Sequence, residues 1–377
     1  MKQRPTMLPS RRSVSRAIPR LLIPLLLIGL LLSLSGCAES EEISFGAILP
    51  LTGAGSIPDV QRGIELAVRE VNESGGIAGV PITLHVEDSE GDRDVATEKM
   101  NSLEGEHEPL LFFSALSSVT KAVSPIAEDQ EIPLIGLVAT DPSIPRGKEW
   151  TYVFYPSAEH ETEPILRILL DQQARSVGVV HFDDAYGRSV AEELQRRAEG
   201  TAVTVDTAPY TGQQEELDEA TGAYTEYDAV YLVGFASHIL RMHAAFAASP
   251  YEGLIMSTST ATIPSLRREN DLSGVYVAAP LLYNTSFVLA REVADRYEEA
   301  YDRELSHYAA TGYDIVKIVT GLLDGEDTER KDVIETLEEG FIYPGVFGEI
   351  ILHAGDNNIY FPLHPAQIEG EDLRYIR

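Results

Sequence analysis

From Ile43 onward the chain alternates strand-like and helix-like periods, and it does so in two successive runs. Ile43 to Pro50 reads as an apolar strand. Val60, Ile64, Ala67, Val68 and Val71 then recur at the spacing of one helical face over 59–73, and Asn72-Glu73-Ser74-Gly75-Gly76 supplies the turn that stops it. Ile82, Leu84 and Val86 alternate as a strand. Segments 110–113 and 133–137 have the continuous apolar character of buried strands, with a helix over about 118–129 between them. A second run opens with a helix near 161–174 and the strand 177–182, followed by a helix over 187–198. Strands 203–207, 229–234 and 254–258 come next, separated by helices near 215–224 and 238–248. Helices near 287–301, 309–323 and 331–339 and short strands at 348–352 and 359–368 complete the pattern. Strand–helix alternation of this kind builds parallel sheets covered by helices on both faces. Two runs imply an α/β protein of two doubly wound, Rossmann-like lobes.

The segment before Ile43 has a different character. The first twenty residues carry six positive charges, Lys2, Arg4, Arg11, Arg12, Arg16 and Arg20, and no acid. Leu21 to Leu34 is apolar apart from Pro24, Gly29 and Ser33, and is short of the roughly 20 residues that a membrane-spanning helix needs. A basic stretch followed by a short apolar one is the layout of a cleaved secretory signal. It ends in Leu34-Ser35-Gly36-Cys37, which resembles the bacterial lipobox, and Cys37 is the only cysteine in the chain. The expectation is a lipoprotein signal peptide over 1–36, lipid on Cys37 and a polar tether to residue 42. The protein would then be exported and lipid-anchored to a membrane. Ser10-Arg11-Arg12 is similar to a twin-arginine signal but lacks its usual Phe-Leu pair, so the export route stays open.

Composition narrows the partners. All 60 acidic residues lie beyond residue 36, against 23 Lys and Arg, and only five of those are Lys. So negative a surface excludes nucleic acid as a partner and repels anionic lipid. Its shortage of lysine points to a salt-adapted source, in which cations screen the self-repulsion. With the lone cysteine committed to lipid, no internal disulfide can form, and packing alone must hold the fold.

Several segments, taken in order, resemble one family. They are Gly46-Ala-Ile-Leu-Pro-Leu-Thr-Gly53, Arg62-Gly-Ile-Glu-Leu-Ala-Val68, Val71-Asn-Glu-Ser-Gly-Gly-Ile77 and Val86-Glu-Asp88. Leu116-Ser-Ser-Val-Thr120, Pro125-Ile-Ala127, Ile132-Pro-Leu-Ile135, Ala139-Thr-Asp-Pro142, Asp183-Asp-Ala-Tyr-Gly187 and Gly312-Tyr-Asp314 continue the match. Together they resemble the type I periplasmic binding proteins of the leucine/isoleucine/valine-binding branch, solute-binding proteins of ABC importers. The resemblance implies two lobes joined by three crossing strands, near 154–157, 279–282 and 353–358. It assigns 43–155 and 281–355 to the first lobe and 156–280 and 356–377 to the second. It also implies a monomer that binds a small-molecule solute in the cleft and works with an ABC permease and its ATPase. A ligand-sensing or regulatory lipoprotein of the same fold, acting on a membrane receptor or cell-wall enzyme, is the alternative.

Ligands of doubly wound sheets sit beyond the carboxyl ends of the strands. In the first lobe those ends are 114–118 and Val138-Ala139-Thr140, each leading into a segment whose free N–H groups suit an anion. By resemblance, Ser117, Ala139 and Thr140 hold an amino acid's carboxylate and the backbone of Val138 takes part of its amino group; read alone, the hydroxyls are equally helix caps. In the second lobe Tyr186 and Phe235 follow strands and can cover the cleft, or be a turn aromatic and a core aromatic. The acid that pairs with the ligand ammonium in relatives falls on Ser259, within the neutral row Ser257-Thr-Ser-Thr-Ala-Thr262. A hydroxyl cannot neutralise a desolvated ammonium as a carboxylate does. Asp183, Asp184 and Asp314 are substitutes with structural readings of their own, and Ser56 stands where relatives carry Tyr.

Enzyme signatures are absent from the sequence. It has no H-E-x-x-H, no His–Cys cluster for a metal and no G-x-S-x-G elbow. Gly53-Ala54-Gly55 lacks its third glycine. The expectation is a binding protein with neither cofactor nor metal.

Overall fold

The first strand, β1 (Ile43–Leu49), shows why the sheets are covered on both faces. Phe45, Ala47 and Leu49 point into the main core, while Ile48, between them, joins a separate layer with Met100, Phe112, Val119 and Val123. Alternation with period two sends successive side chains to opposite helix layers, so a strand in the middle of such a sheet must be apolar throughout. A computed structural model describes residues 42–53, 55–284, 286–323 and 329–376. The signal segment 1–36, Cys37 and most of the tether lie outside the described residues.

Among the described residues the first sheet has six strands in the order β13-β5-β4-β3-β1-β2. They are β1, β2 (Ile82–Asp88), β3 (Leu111–Ala115), β4 (Leu134–Leu137), β5 (Thr151–Phe154) and β13 (Asn358–Ile359), and all their pairings are parallel. The helices α1 (Asp59–Glu73), α2 (Arg93–His107) and α3 (Ser117–Gln130) connect them. The second sheet has the order β15-β14-β10-β9-β8-β6-β7. Its parallel part comprises β6 (Ser176–Phe182), β7 (Thr204–Tyr210), β8 (Ala229–Val233), β9 (Leu254–Ser257) and β10 (Tyr276–Pro280). Its edge is antiparallel, formed by β14 (Leu363–Glu369) and β15 (Asp372–Tyr375). The helices α4 (Ala158–Asp171), α5 (Ala185–Ala198), α6 (Gln214–Ala223), α7 (Ala236–Ala248) and the short α8 (Pro264–Glu269) precede or connect these strands, and α9 (Val288–Tyr301) follows β10. The two sheets repeat one doubly wound order, 2-1-3-4-5, and an α/β fold of two such lobes is what the alternation implied.

Several elements differ from the sequence reading: the helix Pro264–Glu269 and the strands Phe341–Gly345 and Asp372–Tyr375 were not expected, and 359–368, expected as one strand, is split in two. Helix α2 was not foreseen, because it buries only Ala96, Met100 and Leu103 and its other positions are half-buried or exposed. The third passage between sheets falls at 360–362 rather than within 353–358, since Asn358 and Ile359 still pair with Val153 and Phe154 of β5. Phe154, Tyr155, Phe347 and Phe361 meet at that passage, with Phe347 and Phe361 stacked at 3.6 Å and Phe154 and Tyr155 set edge-on to Phe361.

Several motif residues prove to be structural. A Cβ on Gly63 would lie 1.8 Å from the carbonyl oxygen of Ala309, and one on Gly312 would lie 2.4 Å from that of Val60. The two glycines let α1 and α10 (His307–Leu322) cross in backbone contact. Asp314 accepts the backbone N–H of Val346 and so ties α10 to the hairpin of β11 (Phe341–Gly345) and β12 (Gly348–Leu352). Asp88 accepts the N–H groups of Leu51 and Glu90 and the hydroxyl of Thr52, which shapes the loop after β1.

Candidate ligand-binding site

In the order 2-1-3-4-5 the crevice opens between the first and third strands of each sheet, where successive connections leave in opposite directions. Here that rule selects the ends of β1 and β3 in one lobe and of β6 and β8 in the other. A cavity of about 100 Å³ lies at this place. Leu116, Ser117, Ser118, Val138 and Thr140 line it from the first lobe, and Asp184, Ala185, Tyr186, Phe235 and Thr260 from the second. Tyr155, at the first passage between sheets, and Tyr308, at the start of α10, complete the wall. The space is smaller than the apolar cavity of about 150 Å³ that is known to take up benzene, so without further opening it admits only a small solute.

The first-lobe wall is built from strained backbone. Leu116 has φ 72 and ψ 143, and Val138 has φ 53. For a β-branched residue a positive φ is an outlier, and each such conformation costs about 1–3 kcal/mol. The kink after β3 lets α3 begin at once, with Thr120 N–H bonding back to Leu116 C=O. The N–H groups of Ser117 and Ser118 are thereby left at the open end of the helix, beside the cavity. The hydroxyl oxygen of Ser117 accepts the N–H groups of Thr140 (3.1 Å) and Asp141 (3.3 Å). Its own proton remains free to donate. Thr140 is 4% exposed, and its hydroxyl has no hydrogen-bond partner among the described residues. This side of the cavity therefore offers donors and no charge.

The second-lobe wall has the opposite character. Asp184 lines the cavity and caps α5 by accepting the N–H of Gly187 at 2.7 Å. Burial pushes its carboxyl above the ordinary range, against the pull of that N–H. Tyr186 and Phe235 face one another with ring centroids 6.2 Å apart, and Phe235 also meets Phe182 edge-on. Burial raises the phenols of Tyr155 and Tyr186 well above their ordinary value and that of Tyr308 to about 12, so all three are neutral hydrogen-bonding groups. Among the described residues no Lys, Arg or His lines the cavity.

Five of the residues picked from sequence thus share one cavity wall: Ser117, Val138, Thr140, Tyr186 and Phe235. Two do not line it. Ala139 turns its side chain away to pack with Ile144 and Val153. Ser259 is 2% exposed and stands behind the wall, where its N–H donates to Glu161 at 3.2 Å and its hydroxyl donates to the same carboxylate. Ser56 uses its hydroxyl within its own loop, on Leu51 C=O. Of the substitute acids, Asp183 pairs with Arg188 at the surface and Asp314 is buried at the hairpin.

Sequence reasoning missed Tyr155, Tyr308 and, most notably, Glu161. A signal for Glu161 was present: it sits on the buried stripe of α4, in register with Ala158, Ile165, Ile168 and Leu169. An acid on an apolar stripe needs a reason.

Two doubly wound lobes facing one cavity define a two-lobed binding protein. Residues 42–372 match the family described as periplasmic binding protein, and the chain belongs to that family, in its type I, leucine/isoleucine/valine-binding-like branch. The family is extracytoplasmic, and its members are solute-binding proteins rather than enzymes. A Leu/Ile/Val-binding protein homolog 8 from Brucella suis is 28% identical over 201 residues, half of each chain. A chemotactic signal transduction system substrate-binding protein, BasB, from Halobacterium salinarum is 27% identical over 211 residues, 52% of this chain and 50% of that one. The chain thus spans about half the length of the curated relatives it matches. Among solved structures, the substrate-binding protein LivJ of Streptococcus pneumoniae in complex with isoleucine superposes with a TM-score of 0.79 at 19% identity, covering 89% of this chain and 99% of that one. A solute-binding protein of Rhodopseudomonas palustris in complex with 3,4-dihydroxybenzoic acid has the same TM-score at 15% identity, covering 89% and 96%.

Proposed function

We propose that the chain is the extracytoplasmic solute-binding lipoprotein of an ABC importer, anchored through Cys37, and that it binds an α-amino acid or a related carboxylate or amide between its lobes. The supporting observation is the polarity of the cavity. Uncharged donors from Ser117, Ser118 and Thr140 stand on one side and the carboxyl group of Asp184 on the other, with aromatic rings between. A zwitterion with an apolar side chain matches that division. Its carboxylate meets hydroxyl and N–H donors without a desolvated cation, and its side chain lies against Phe235 and the tyrosines. Closure of the lobes excludes water and strengthens the hydrogen bonds made. Residues 43–155 and 281 to about 359 form the first lobe, and 156–280 with the remainder form the second.

Calorimetric titration with a panel of amino acids, amides and organic acids tests this. Micromolar binding of one α-amino acid class is expected, and the absence of any ligand tighter than millimolar overturns it. A second reading, ligand sensing for a membrane receptor, draws support from the halobacterial chemotaxis relative and from the acidic, lysine-poor composition shared with salt-adapted proteins. A receptor rather than a permease that co-purifies with the anchored protein would favour it.

A further inference from the structure

Glu161 is a carboxyl group without a cation. It is fully buried, and among the described residues its two oxygens receive only the N–H and hydroxyl of Ser259. The titratable groups facing it are Tyr155 from the first passage between lobes, Tyr186 from α5, Tyr231 from β8 and Tyr308 from α10. Three of these four tyrosines line the cavity. The hydroxyl of Tyr155 lies 3.4 Å from that of Ser259, so the acid is linked to the cavity wall through one serine. A nearby polar group is also unsatisfied: the hydroxyl of Tyr231 is buried and has no hydrogen-bond partner among the described residues. Native proteins rarely leave a buried carboxyl without a counter-charge or a buried hydroxyl without a partner, and each such group calls for an explanation.

We propose that Glu161 is the counter-charge for a cationic group of the ligand, delivered from helix α4 to the place where the end of β9 carries only Ser259. The inference rests on the solute-binding reading above and gives it a chemical class, a ligand with an ammonium next to its carboxylate. Ser259 positions the carboxylate, and Tyr155 and Thr260 form the wall through which its charge acts. Burial pushes the Glu161 carboxyl up to about 7, against the pull of Ser259. An arriving ammonium favours the ionised form, so binding expels a proton in mildly acidic solution.

The test compares the full-length chain and Glu161→Gln in calorimetric titrations with α-amino acids and their 2-hydroxy-acid counterparts, which keep the carboxylate and lose the ammonium. The unaltered chain should prefer the amino acid, and Glu161→Gln should weaken that ligand by roughly 30-fold while changing the hydroxy acid less than about threefold. Amino-acid binding at about pH 6 should release a proton, read as a heat that varies with the ionisation enthalpy of the buffer, and the variant should release none. A role in folding alone would not move the proton count. Ser259→Ala provides a second route should the first variant fold poorly, and it should reduce the same preference. Equal affinity of the unaltered chain for both ligand types overturns the inference and leaves solute binding standing. So does a preference removed by Asp184→Asn but kept in Glu161→Gln. Failure to bind either ligand type, with amides and other organic acids also failing, overturns the solute-binding reading and the inference together.

Discussion

Replacing Glu161 by Gln should stabilise the protein in a way that depends on pH. In the unfolded chain this carboxyl loses its proton near 4.5, and in the folded chain near 7. Between those values the folded state holds more protons than the unfolded one, so stability falls as pH rises through the interval. The contribution is fully present below pH 4.5 and lost above about 7. Each pH unit in that window is worth about 1.4 kcal/mol, which makes the whole effect about 3 kcal/mol. Gln has the same shape, can keep contact with Ser259 and never ionises. Denaturant titrations of the two proteins across the window isolate the effect, because Asp314, pushed up to about 8 by burial, and every other titrating group are common to both. The variant should match the unaltered protein near pH 4.5 and exceed it by about 3 kcal/mol near pH 8. A difference that stays constant across that range would falsify the burial argument.

Further changes separate binding from folding. Thr140→Ala should lower solute affinity about tenfold with little change in stability, because its hydroxyl has no partner in the fold; Ser117→Ala should cost affinity and also about 1–3 kcal/mol of stability, because two N–H groups lose their acceptor. Calorimetry and denaturant titration distinguish the two, and equal stability losses would refute the assignment. Gly63→Ala should cost more than about 3 kcal/mol, since its Cβ would press on the Ala309 carbonyl, and a near-normal melting temperature would show that α1 and α10 do not cross in backbone contact. With a formal net charge of −31, the protein should melt higher in about 1 M than in about 0.1 M salt, as the screening length drops from about 10 to about 3 Å, and a flat response would contradict self-repulsion as a destabilising force.

The lobes were legible because strands buried on both faces must be apolar at consecutive positions and covering helices must repeat near 3.6 residues, as in Val60 to Val71. Helix α2 escaped because its single-residue stripe scarcely departs from a polar segment. The strand-end residues Ser117, Thr140, Tyr186 and Phe235 were legible through their place after strands. Tyr155 and Tyr308 were not, because they reach the cavity from a passage between lobes and from a distant helix. Glu161 and Ser259 show the deeper limit. Sequence order reveals that the β9 end lacks an acid, but only packing brings α4 alongside it, with a carboxylate 98 residues away in the chain. The missing charge was legible, and its replacement was not.

The lobes should enclose a small molecule bearing both an acid and an amine, and the mass of the molecule released when the purified protein is denatured tests this. One predominant species with the mass of an α-amino acid or close analogue is expected, present near one per chain. Release of no small molecule, or of one that carries neither group, would contradict it.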